Sequence, residues 1–248
     1  MKIAVAHPGK LGDALYALPT VRYLSGLHGM KADFWTSDWC KPLAGLLEAQ
    51  SCIDKVIVPD DYKMQDAHCG VRPWRVPVHG EYVATYQLGF RDWPDASLPD
   101  YIAKQVGLVK APELWLETAP KQLAITPRPV LCSKALATYP DWFEAFMALR
   151  PQQEFFAVSL PKLERKWPNV IDATGPDLLS AARVVEKAPF VVGMPSIIQT
   201  IATFFPVKSA ACVGKRHWDD VHLVKRYGLD LYYTTETEPS LVWQWLEQ

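Results

Sequence analysis

Short apolar runs alternate with stretches of helical spacing twice along this chain, and that leaves few folds open to it. Lys2-Ile3-Ala4-Val5-Ala6-His7 reads as a buried strand. Behind it Leu15, Leu18, Val21 and Leu24 predict a helix over residues 13–27. Pro19 lies inside that helix and, lacking an N–H, is expected to kink it. Strands over 32–36 and 55–58 follow, with a helix over 41–49 between them. This β-α-β-α-β order with short linkers is the signature of a parallel sheet. A strand over 82–88, a helix over 98–106 and a short strand over 113–116 extend the first half.

The alternation then restarts. A strand and its exit loop over 129–134 precede a helix over 141–149, a strand over 155–159, a polar loop over 160–166 and a short strand over 169–172. Leu178, Leu179, Ala182, Val185 and Ala188 place an apolar stripe on a helix over 177–187. A strand over 190–193 enters a helix over 197–204, with later strands over 209–213 and 231–234 and a last helix over 241–246. The proline-bearing polar segment over 118–129 divides the two halves. The expectation is an α/β chain of two Rossmann-like parallel-sheet lobes, residues 1–125 and 126–248, facing a central cleft. Interfaces of that kind are preferred ligand sites.

Composition narrows the function. A net charge of −1 provides no basic field for nucleic acid or an anionic membrane. Five scattered cysteines without C-x-x-C spacing argue against a disulfide framework and a structural zinc site, and for a reducing, cytoplasmic setting. The first apolar run is too short for a signal peptide, and no run has the length of a membrane span, which leaves only peripheral membrane contact open.

The chemistry-bearing residues gather behind the first strand, in His7-Pro8-Gly9-Lys10-Leu11-Gly12-Asp13. In open α/β sheets the ligand crevice lies outside the carboxyl ends of the strands, so this loop borders the expected site. It holds a carboxylate, a cation, a titratable ring and two glycines. Asp13 has two readings, a helix-terminal acid favoured by the dipole and a general base. The long aromatic segment over 60–80, with His68, Arg72, Trp74, Arg75 and His79, suits either an anionic or sugar-like ligand or a solvated connection. Trp74, Trp93 and Trp115 are candidates for stacking on a sugar, although most tryptophans only pack.

Pro8-Gly9-Lys10-Leu11-Gly12-Asp13, continued to Pro19, resembles the R-x-x-x-x-G-D-x-x-x-x-x-P opening of the heptosyltransferase-like glycosyltransferases, those of glycosyltransferase family 9. Val170-Ile171-Asp172-Ala173-Thr174-Gly175, Leu178-Leu179-Ser180-Ala181-Ala182 and Phe190-Val191-Val192-Gly193-Met194-Pro195-Ser196 are similar to that family's C-terminal segment. The resemblance implies a GT-B fold whose first lobe takes a glycan acceptor and whose second takes a nucleotide-diphosphate sugar. Transfer would invert the anomeric centre without a metal, and no cofactor is implied beyond the nucleotide sugar as co-substrate. On that resemblance Asp13 is the base. Lys134 faces the leaving phosphates, Glu164 holds the nucleoside, and Gly193 and Ser196 complete the donor side. His7, Lys10 and Gly12 fall on the acceptor side, and Arg91 is placed there by its loop position alone.

The chain also departs from the pattern. The family's D-S/T-G at the phosphate-binding helix becomes Pro195-Ser196-Ile197, and the arginine near the end of the first strand becomes His7. A catalytically silent GT-B-like binding or scaffold domain is therefore the alternative. No G-x-G-x-x-G follows either lobe's first strand, which counts against a nucleotide-dependent oxidoreductase.

Overall fold

A computed structural model describes residues 1–60, 62, 75–89, 97–118, 125–160, 162–163, 165–175, 177–213 and 230–248. The chain divides into two compact units, Met1–Ala119 and Pro120–Gln248.

In the first unit, β1 (Ile3–His7), β2 (Ala32–Thr36), β3 (Ile53–Ile57) and β4 (Ala84–Gln87) form a parallel sheet in the order β3-β2-β1-β4. Every residue of β1 and β2 is buried, as expected of central parallel strands covered on both faces. The expected kinked helix is instead two helices, α1 (Leu11–Tyr16) and α2 (Leu18–His28). Pro19 falls in the first turn of α2, where its missing N–H is one of those a helix leaves unpaired anyway. Ala17 between them keeps right-handed helical dihedrals (φ −74°, ψ −20°), so the interruption is local to one residue. Pro42 similarly turns the start of the next helix into a 3-10 helix, Asp38–Leu43, before α3 (Ala44–Glu48). The segment over 113–116 joins no strand ladder; the Arg22 guanidinium stacks 3.5 Å from the Trp115 ring centroid there. α4 (Leu98–Lys104) starts at a Ser97 cap whose Oγ accepts from the Asp100 N–H.

An irregular strap over 75–82 covers Ala4, Ala6 and Trp35 on one face of this sheet. Gln87 clamps it, donating from Nε2 to the Val76 carbonyl at 2.8 Å and accepting the Val76 N–H at 3.1 Å. Trp35 Nε1 donates to the Tyr82 hydroxyl, which donates to Asp33, itself paired with Lys2.

The second unit holds β5 (Val130–Cys132), β6 (Phe155–Val158), β7 (Val170–Asp172), β8 (Phe190–Gly193), β9 (Lys208–Cys212) and β10 (Leu231–Tyr233). All pairs are parallel, in the order β10-β9-β8-β5-β6-β7. Between them run α5 (Ser133–Thr138), α6 (Pro140–Ala148), α7 (Leu178–Glu186) and α8 (Ile197–Ala202), and α9 (Pro239–Glu247) closes the chain. The core is aromatic. Phe146 stacks on Trp243 and Trp142 on Tyr233, each pair with centroids 4.6 Å apart. Both indole N–H groups are satisfied, Trp243 by the Phe146 carbonyl and Trp142 by that of Thr237. Among the described residues no helix is long and apolar enough to cross a membrane.

Candidate active site

Strand order points to a candidate ligand edge in each unit. In both sheets the chain runs outward from the first strand in one direction, then crosses over and continues in the other. The order reverses between β1 and β4 in the first unit and between β5 and β8 in the second. At such a switch point the loops leaving the strands diverge and open a crevice at their carboxyl ends.

The β1 loop, Pro8-Gly9-Lys10, leads directly into α1, whose first turn carries Asp13. Several contacts hold this loop still. Its Gly9 N–H donates to His7 Nδ1 at 3.0 Å, which puts the ring proton on Nε2. The Gly9 carbonyl accepts from Cys40 Sγ at 3.1 Å and Ser37 Oγ at 3.3 Å, and Thr36 Oγ1 donates to the His7 carbonyl. A Cβ on Gly9 would overlap the His7 ring and come within 3.0 Å of Asp13 Cβ, so this close approach requires glycine.

His7 is wholly buried, and desolvation lowers its pKa to about 3, leaving a neutral imidazole. The structure therefore makes His7 a positioning residue beneath Gly9 rather than a contact for an acceptor. Asp13 and Gly12 are half-buried and Lys10 is exposed, with its ammonium 5.8 Å from the Trp39 ring centroid.

At the second switch point β5 runs straight into α5, so Lys134 is a residue of that helix and not of a loop. It is exposed at the helix's second position. Opposite, Gly193 ends β8, and Met194-Pro195-Ser196 leads to α8. The two sides touch: Cys132 Sγ lies 3.4 Å from Ser196 Oγ, and Thr138 Oγ1 reaches both the Lys134 carbonyl and Met194 Sδ. A Cβ on Gly193 would overlap that of Cys132. Ser196 takes the N-cap position of α8, yet its side chain caps no backbone N–H and faces Cys132. Gly193 and Ser196 thus meet Cys132 at this strand edge, with Lys134 exposed two residues further on, and His7, Lys10, Gly12 and Asp13 lie together on the first unit's β1 end, loop and helix start. Glu164 and Arg91 lie outside the described residues, as do Trp74 and Trp93.

Sequence reasoning missed Ser37, Cys40 and Trp39, which border the Asp13 loop from the 3-10 helix and the residue before it. Only their position just after β2 signalled them, since loops at that edge of a parallel sheet converge.

Each unit is a doubly wound Rossmann-type lobe. Together they carry the fold of the GT-B heptosyltransferases. The E. coli ADP-heptose LPS heptosyltransferase II structure matches with a TM-score of 0.65 at 14% identity, covering 100% of this chain and 98% of that one. E. coli heptosyltransferase WaaC with ADP matches at 0.64 and 12% identity, covering 100% and 99%. The iron-containing dodecameric glycosyltransferase TibC of enterotoxigenic E. coli matches at 0.58 and 17% identity over 85% of this chain, which spans 57% of TibC. No protein-family model and no curated protein matches the sequence.

TibC's iron raises the question of a metal site. Among the described residues no group of three or more His, Cys, Asp or Glu side chains stands together to hold a metal ion. Burial pushes the Cys40 thiol up to about 11 and Cys212 to about 12, so neither offers a thiolate near neutral pH.

Proposed function

We propose that this chain is a glycosyltransferase that moves a sugar from a nucleotide-diphosphate donor, of the ADP-heptose type, to a carbohydrate or glycan acceptor with inversion and without a metal. ADP and ADP-heptose are the ligands named for the similar structures of WaaC and TibC. The observation that carries the reading is Asp13, a half-buried carboxylate in the first turn of a helix at the switch point of its sheet, directly behind a loop held in place through Gly9.

Asp13 takes the proton of the acceptor hydroxyl as its oxygen attacks the anomeric carbon. The bond from that carbon to the diphosphate oxygen breaks on the opposite face, and one displacement inverts the centre. The departing diphosphate gathers negative charge beside Lys134, the Ser196 hydroxyl and the first backbone N–H groups of α8.

Asp13→Asn should lower turnover of ADP-heptose by about 10²–10⁴-fold, the range for a general base, while calorimetry shows ADP binding unchanged. Full turnover in that variant would remove Asp13 from the chemistry. A second reading, a catalytically silent binding domain, is favoured by Pro195-Ser196-Ile197, where the acid and the glycine of the family pattern are missing. It expects no nucleoside diphosphate to bind, and a calorimetric ADP isotherm would eliminate it.

A further inference from the structure

The 3-10 helix Asp38–Leu43 buries Cys40 and Leu43 completely, yet it holds the Trp39 indole 42% exposed. Trp115 is similarly exposed, at 40%, but its ring is covered by a guanidinium only 3.5 Å from the centroid. Trp35, Trp142 and Trp243 are buried with their N–H groups bonded. Trp39 instead stands just past the carboxyl end of β2, next to the loop that leaves β1.

Its backbone is tied to the loop of Asp13, because the adjacent Cys40 donates its thiol proton to the Gly9 carbonyl and Ser37 donates to the same oxygen. Asp13 also lies close enough to Cys40 to act on its thiol electrostatically. Lys10, from the same loop, reaches toward the indole with Nζ 5.8 Å from the ring centroid and makes no ion pair among the described residues.

We propose that Trp39 and Lys10 form a platform for a pyranose ring of the acceptor, beside Asp13. This rests on the reading of the first unit as the acceptor side. One face of a pyranose is a patch of C–H groups whose partial positive charge suits the negative face of an indole. The ammonium offers three N–H donors to the hydroxyls at the ring's edge. A stacked ring is held in plane while its hydroxyls remain free at the rim, so one of them can be presented to a carboxylate on the neighbouring turn. The rigid link through Gly9 fixes the distance between platform and base, and positioning of that kind is a major part of catalysis.

The test uses saturation-transfer NMR on the full chain with methyl β-D-glucopyranoside, methyl β-D-galactopyranoside and methyl α-D-mannopyranoside. At least one glycoside should receive saturation at its ring C–H protons. The signal should fall about fivefold in Trp39→Ala, persist in Trp39→Phe, and weaken in Lys10→Ala. Circular dichroism and melting checks that each variant is folded. Equal transfer in wild type and Trp39→Ala overturns the platform, as does transfer to none of the three glycosides in the wild type.

A parallel ADP titration separates this proposal from the transferase reading. ADP binding unchanged in Trp39→Ala supports an acceptor-side role. If Trp39-dependent glycoside binding persists while no variant binds ADP, the platform stands and the transferase reading falls.

Discussion

With its N–H donated to His7, and with a Cβ there bound to meet the His7 ring at 2.4 Å and Asp13 Cβ at 3.0 Å, Gly9 has no room for a side chain. Gly9→Ala must move the imidazole or the first turn of α1. The expected cost is about 1–3 kcal/mol, as for other overpacked sites, read by chemical denaturation. His7 carries a second consequence. Its folded pKa of about 3 lies below the ordinary 6.5 because burial disfavours the cation. Below pH 6.5 the unfolded chain takes up a proton that the folded chain refuses. Stability from the neutral ring is thus complete above pH 6.5 and declines as pH falls toward 3, by an amount on the order of 4 kcal/mol. His7→Asn keeps an acceptor for the Gly9 N–H but does not titrate. Denaturation at pH 7, 5 and 4 should give that variant a flatter pH dependence than the wild type; parallel curves would show that His7 is not the group responsible.

Pro19 shows how an element can be legible while its joints are not. The spacing of Leu15, Leu18, Val21 and Leu24 marks the buried face correctly, and all four are buried. The spacing is blind to a break at Ala17, because two short helices in near register bury the same positions. Since Pro19 sits in the first turn of α2, Pro19→Ala should change stability by no more than about 1 kcal/mol. A gain near 3 kcal/mol in thermal or chemical denaturation would mean that the proline strains a continuous helix after all. Helix α5 escaped notice for a related reason. It follows β5 without a turn residue, and its buried Ala135 and Leu136 are too few to establish a period. That helix is why Lys134 leaves the loop the sequence suggested. At the facing strand end, Gly193→Ala should cost about 1–3 kcal/mol, and Cys132→Gly should relieve part of it, because the two Cβ positions compete for one space. Additive losses in the double-mutant cycle would show that the two sites are not coupled.

Across the whole chain, the alternation of strand and helix foretold two parallel sheets, and both are present. The crossover between β5 and β8 was not readable in the same way, because a buried strand has the same apolar pattern wherever it inserts in a sheet. Strand order is a tertiary outcome, and it brings Ser196 to Cys132, 64 positions apart in sequence. The same order makes the nucleotide's location testable. If the diphosphate is held where β5 and β8 diverge, ADP should slow amide exchange in peptides covering residues 131–138 and 193–202, and leave residues 3–28 unchanged. A ligand at 100 times its Kd stabilises the state that binds it by about 2.7 kcal/mol, a slowing of up to about 100-fold for amides that exchange only through unfolding of the second unit. Ser196→Ala and Lys134→Ala should each weaken ADP binding and shrink the protection in step with Kd. Protection confined to β1 and α1 would instead assign the nucleotide to the first unit, and Asp13 would then lie against phosphate, where a carboxylate repels.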